Sequence, residues 1–253
     1  MRKIVFMMLL PAVIAMLAFP AGVSAAEITV SAALSLKSAF ADIGKLYEAR
    51  NTGAKIRFNF GASGDLIRQL AGGAPVDVFA SAAQKDMDDA SAKGLILPGT
   101  RADFAGNRVV LIAPKKAAAT SFEELVNDKV KRIAVGNPRT VPAGRYAAEV
   151  FDYYKLTARI KDKIIYAENV RQIMDYVARG EVDAGVLYAT DAAVRGADIR
   201  VVATAPESSH KPVIYPIAAI KGTKNEATAK AFIDTIRSKE GSAILKKYGF
   251  SLP

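Results

Sequence analysis

From residue 28 onward the apolar positions switch repeatedly between a period of two and a period of three to four. ITVSAA at 28–33 reads as a strand, and Leu36, Phe40, Ile43 and Tyr47 then fall on one helical face. KIRFNF at 55–60 returns to alternation, DLIRQLAGG at 65–73 to helical spacing, and VDVFAS at 76–81 to a strand. Strands alternating with helices predict parallel sheets covered by helices.

The pattern restarts at NRVVLIAP, residues 107–114. A helix near SFEELV, a strand at KRIAVG, a helix at AGRYAAEVFDYY, a strand at IIYA, a helix at NVRQIMDYVARG and strands at DAGVLYA and IRVVAT follow in turn. This is a second α/β unit. VIYPIAAI at 213–220 is strand-like again, and after it only two helices remain, ATAKAFIDTIRS and GSAILKKYG. Two helices cannot make a domain alone, so they are expected to pack back on the first unit. The fold class predicted is therefore α/β with two lobes: residues 26–108 plus 216–253 form lobe 1 and residues 109–215 lobe 2. The chain crosses between them near 106–110 and again near 214–218. Two interlobe crossover strands leave a cleft, the usual place for a ligand and for hinge closure.

Ahead of this pattern, Arg2 and Lys3 precede an apolar run that ends on Val23, Ser24 and Ala25, the form of a cleaved secretory signal peptide over residues 1–25. Pro11 and Pro20 interrupt the run and argue against a membrane anchor. The sequence has no cysteine, so the exported protein is expected to lack both disulfides and a thiol for a lipid anchor. A free periplasmic protein is the expectation. Arg2 and Lys3 leave with the signal and take the net charge from +10 to +8. The remaining Lys and Arg are scattered, with no basic run interleaved with aromatics, so nucleic acid is not an expected partner.

Several strand-to-helix turns carry small residues at the same relative place. Ser35 opens the first helix, where its hydroxyl would cap free amides, and Ser63 lies among glycines before the second. Ala143 and Gly144 follow Pro142 in the first turn of a third, and Val170 opens a fourth with Asn169 as its cap. Helix starts present unpaired N–H donors and the positive end of the helix dipole, which suits an anion. All four lie at the carboxyl ends of strands, where open α/β sheets bind ligands.

Other chemistries fit less well. Gly61, Ala62, Ser63 and Gly64 lack the Gly-x-Ser-x-Gly spacing of a nucleophile turn, and a Ser63–His210 pair has no evident orienting carboxylate. His210 is expected in a surface loop. No Cys, His cluster or EF-hand spacing offers a bare-cation site, and the adjacent Tyr153 and Tyr154 point about 100° apart on a helix.

AALSL, FGASGDLIRQLAGGAPVDVFASA, AVGNPRTVPAGRYA, AENVR, GEVDAGVLYATDA, PESSHK and KKYGF resemble, in order and spacing, the periplasmic molybdate-binding proteins of ABC transporters. The resemblance spans essentially the whole exported chain. It implies a type II periplasmic-binding-protein fold that catalyses nothing, needs no cofactor and takes molybdenum only as the oxyanion. It also implies the ligand set: Ser35 and Ser63 from lobe 1, the backbone amides of Ala143 and Val170 and the hydroxyl of Tyr188 from lobe 2. Gly64 departs from the pattern, since some relatives would carry a third serine-like residue there.

The expected function is capture of molybdate, and of tungstate with it, by a monomer that delivers it to a membrane permease. A sulfate or other tetrahedral-oxyanion carrier stays open as an alternative, as does a secreted serine hydrolase using Ser63. A buried dianion held by neutral groups needs every oxygen satisfied by preoriented donors.

Overall fold

The computed structural model describes residues 27–116 and 119–253; the predicted signal peptide lies outside them. The first unit runs β1 (Glu27–Ala33), a 3-10 turn at Leu34–Leu36, α1 (Lys37–Arg50), β2 (Lys55–Gly61), α2 (Ser63–Ala71), β3 (Val78–Ala80), α3 (Gln84–Ala92) and β4 (Ala102–Asn107). The second runs β5 (Val109–Pro114), β6 (Ile133–Gly136), α4 (Pro142–Tyr153), α5 (Thr157–Ile160), β7 (Ile164–Ala167), α6 (Val170–Ala178), β8 (Ala184–Tyr188), α7 (Ala189–Val194) and β9 (Ile199–Thr204). The chain then returns through β10 (Val213–Ala219) to α8 (Glu226–Arg237) and α9 (Lys239–Lys247).

Two five-stranded sheets result, in the orders β2-β1-β3-β10-β4 and β7-β6-β8-β5-β9. The expectation of parallel sheets holds only in part. β2, β1 and β3 are parallel, as are β7, β6 and β8, but β10 runs against both β3 and β4, and β5 against both β8 and β9. The reason is topological: a strand arriving from the other lobe enters at the cleft edge, where the parallel strands end, and must run away from it. Arg108 alone separates β4 from β5, and residues 205–212 join β9 to β10. Val213 already pairs with Asn107 in the first sheet. The second crossing is thus complete before the 214–218 expected from sequence.

The first core is aromatic. Phe40 and Tyr47 on α1 meet Phe232 on α8 edge-on at 6.3 and 5.6 Å, and Phe40 lies 5.7 Å from Phe104 of β4. These contacts, with those of α9 on α1, return the C-terminal helices to the first lobe as expected. In the second lobe β8 is buried along its whole length, flanked by β5 and β6 and covered by α4 and α6.

One close approach fixes the start of α4. A Cβ on Gly144 would lie 1.9 Å from the Gly136 carbonyl oxygen at the end of β6, so helix and strand meet backbone to backbone. Pro142 at the first helical position supplies the fixed φ that starts the helix there. Gly144→Ala is expected to destabilise the fold by about 3 kcal/mol, the upper end of overpacking costs. At roughly 2–4 °C per kcal/mol for a protein of this size, melting should fall by about 6–12 °C. A melting temperature within a degree of wild type would show that the approach is not tight.

Candidate functional site

α2, α4 and α6, together with the 3-10 turn before α1, all begin on the same edge of their sheets, and the four starts converge on one small cavity between the lobes. Ser35, Ser63, Ala143, Val170 and Tyr188 all line it. Its volume is about 20 Å³, far below the several hundred Å³ that drug-sized molecules need. Apart from the phenol of Tyr188, the wall carries no ionisable side chain.

The donors arise from helix geometry. Amides in a first turn have no acceptor within their own helix, and those of Ser63, Ala143 and Val170 find no other backbone acceptor among the described residues. Asn169 caps α6 as expected, its side chain accepting from the Gln172 amide at 3.0 Å. That bond goes to Gln172 and not to Val170, which lines the cavity. The hydroxyls behave differently from expectation at one position. Ser35 does not cap a helix: it sits in the 3-10 turn, α1 starts at Lys37 without a side-chain cap, and Ser35 Oγ meets Tyr215 Oη at 3.1 Å. Ser63 is the first residue of α2, and its Oγ accepts from the Ala82 amide at 3.2 Å. Tyr188, at the end of β8, donates across the cleft to the Ala82 carbonyl at 3.3 Å.

Tyr215 was not picked out by sequence reasoning. It is fully buried in β10, and its hydroxyl joins Ser35 to Asn107 Nδ2, 3.1 Å away, while Asn107 also donates to Thr190 at 2.8 Å. Its only signal was a hydroxyl within an apolar strand. Burial holds the Tyr188 and Tyr215 phenols well above their ordinary range, so both remain O–H groups.

Gly64, the departure from the resembled pattern, has a local reason. Its amide donates across the cleft to the Thr140 carbonyl at 3.0 Å, and a Cβ there would stand 2.8 Å from Thr140 Cα. A side chain would hold the lobes apart. Ser63 and His210 are not brought together. His210 borders a separate cavity of about 560 Å³ behind the crossovers, with its Nδ1 against the Lys211 carbonyl at 2.7 Å. Tyr154 stacks on Phe122 while Tyr153 is exposed, so the two tyrosines share no site.

Comparison with known proteins gives a consistent family. A sequence profile described as bacterial extracellular solute-binding protein matches residues 28–251. The molybdate-binding protein ModA of Escherichia coli is 39% identical over 234 residues, covering 89% of each chain. A Bacillus subtilis protein named as an ABC transporter substrate-binding lipoprotein is 38% identical over 226 residues, 88% of this chain and 86% of that one. Among solved structures, the Azotobacter vinelandii periplasmic molybdate-binding protein superposes with a TM-score of 0.81 at 24% identity, over 89% of this chain and 99% of that one. The last shows a shared fold.

Behind the cavity wall lies a carboxyl group that sequence reasoning also passed over. Asp191, three residues past Tyr188, is 1% exposed, and neither of its oxygens has a hydrogen-bond partner among the described residues. Burial pushes its pKa up to about 7, against the opposing pull of the Arg171 guanidinium. The folded protein therefore keeps Asp191 neutral over a range where the unfolded chain ionises it. Below pH 4 both states hold the proton and nothing is lost; between pH 4 and 7 stability falls; above 7 the cost is constant. Its full size is on the order of 4 kcal/mol. Asp191→Asn should thus gain on wild type in melting temperature as pH rises from 4 to 7. Parallel profiles would mean that Asp191 is ionised and paired in the fold.

Proposed function

The chain belongs to the family of bacterial extracellular solute-binding proteins, and from that premise we propose that it captures molybdate in the interlobe cavity for uptake by an ABC transporter. The observation that carries this reading is a small cavity onto which helix starts of both lobes converge, lined by neutral residues and no charged side chain. The amides of Ser63, Ala143 and Val170 and the hydroxyls of Ser35, Ser63 and Tyr188 would surround the four oxygens. Binding would exchange the Tyr188–Ala82 bond for one to the ligand. The 39% identity with ModA of Escherichia coli supports molybdate over other small anions. Tungstate, nearly the same size, should occupy the same donors. The partner that follows is a membrane permease, and the place of action the periplasm.

The specificity experiment is calorimetric titration of the ligand-free protein with four anions. Molybdate and tungstate should bind with similar heats, and sulfate and phosphate far more weakly. Comparable sulfate affinity would replace molybdate with the sulfate-carrier alternative.

Ser63→Ala should weaken molybdate binding by about 1.5–3 kcal/mol, the worth of one hydrogen bond to a charged group. Unliganded stability should fall by about 1–3 kcal/mol as well, because the buried Ala82 amide loses the Ser63 hydroxyl as its acceptor. Unaltered affinity would remove Ser63 from the ligand set, and an esterase activity of wild type lost in the same variant would favour a hydrolase.

A further inference from the structure

Outside the cavity wall one buried charge pair crosses from lobe to lobe. Arg145, two residues past Ala143 on α4, donates through Nη2 to Asp86 Oδ2 on α3 at 2.5 Å. α4 packs on β6 and β8 of the second sheet, and α3 on α2 and β10 of the first, so the pair spans the cleft. The side chains are only 3% exposed for Asp86 and 19% for Arg145. Each is also held from its own side. Asp86 accepts from Ser81 Oγ at 3.3 Å, and Arg145 Nη1 donates to the Pro138 carbonyl at 3.4 Å.

Neither residue lines the cavity, so the pair has no part in the ligand set. Its effect is on closure. In a parted molecule both charges would be hydrated separately, whereas in the closed one each is desolvated and depends on the other. Removing one partner leaves a buried, uncompensated charge, and that penalty falls on the closed form alone. Asp86 is already near this limit, since burial raises its carboxyl pKa despite the neighbouring guanidinium. The Gly64 amide crosses the same cleft at 3.0 Å to Thr140, but it is uncharged and leaves no comparable penalty when the lobes part.

We infer that Asp86 and Arg145 are positioning residues for closure, a buried latch that sets how long the oxyanion is held without touching it. This rests on the binding-protein reading above. Encounter takes place with the lobes apart, where the pair is unmade, so association should be insensitive to it. Release requires the latch to break.

The absence of cysteine from the sequence permits a clean test. Cysteines at the exposed positions Lys93 and Ala158, one in each lobe, carry spin labels for interlobe distances, and stopped-flow displacement gives molybdate release rates. Asp86→Asn and Arg145→Met should each speed release about 10- to 100-fold, with association nearly unchanged, and populate longer distances. The neutral double variant should lose less than the product of the two, because no buried charge is left unpaired. Arg145→Lys, which keeps the charge, should fall between wild type and Arg145→Met. If wild type binds molybdate and the folded single variants keep its release rate and distances, the latch is refuted and the ligand reading stands. If wild type ignores molybdate while the variants still shift the unliganded distances outward, the latch stands and the ligand reading fails. Unchanged distances in every variant refute the latch whatever binds.

Discussion

Backbone amides at a buried helix start have no acceptor of their own, and a fold that aims several of them into one cavity is stable only if something answers them. Here the starts of α2, α4 and α6 and the turn before α1 converge because β1, β2, β6 and β7 all end on the cleft edge of their sheets. The close approach of Gly144 to Gly136 and the Asn169 cap fix two of those starts to within the length of a hydrogen bond. The donor ring is therefore a consequence of strand direction and turn chemistry rather than of any distinctive side chain. An anion of a few heavy atoms meets the requirement, since it brings acceptors on every side and the helix dipoles favour its charge.

A ring of neutral donors works for a dianion only if stray charge is kept away from it. Two buried carboxyl groups lie near the cavity, and the structure deals with them differently. Asp191 is held in a setting that favours its protonated form, while Asp86 is matched by Arg145 across the cleft. In the first case neutrality costs stability as pH rises. In the second it depends on the lobes being closed. The crossovers at Arg108 and 205–212 allow that dependence to act, since they join the lobes by short segments and leave the cleft faces to meet or part as bodies.

Much of this was legible in the sequence where side-chain period carries the information. β1, β2, α1, α4, α6 and the two C-terminal helices follow directly from their apolar spacing, and Asn169 announces the start of α6. What escaped has physical reasons. α3 carries three Asp among nine residues and buries only Asp86, Met87 and Ala90, so it has no apolar stripe to read. β4, with its Gly106 and Asn107, alternates poorly and exists because β10 needs a neighbour. The segment SFEELV forms a single 3-10 turn, Glu123–Val126, instead of a helix. At the site, Ser63, Ala143, Val170 and Tyr188 line one cavity with Ser35. Tyr215, Asp191 and the Asp86–Arg145 pair were invisible because their significance lies in partners 20 to 180 residues away.

On the proposed reading, selectivity among tetrahedral anions divides between two kinds of donor. The hydroxyls of Ser35, Ser63 and Tyr188 can each accept as well as donate, and the Ser35–Tyr215 contact can run in either direction. They could therefore accommodate a protonated anion such as hydrogen phosphate. The amides of Ser63, Ala143 and Val170 cannot turn round. An oxygen that carries a proton gains nothing from facing an N–H, and its proton is left without an acceptor at a cost of about 1–3 kcal/mol. Discrimination by protonation state thus resides in the backbone, where side-chain substitution cannot reach it. Discrimination by size falls to the closure that sets the distance between the donors of the two lobes.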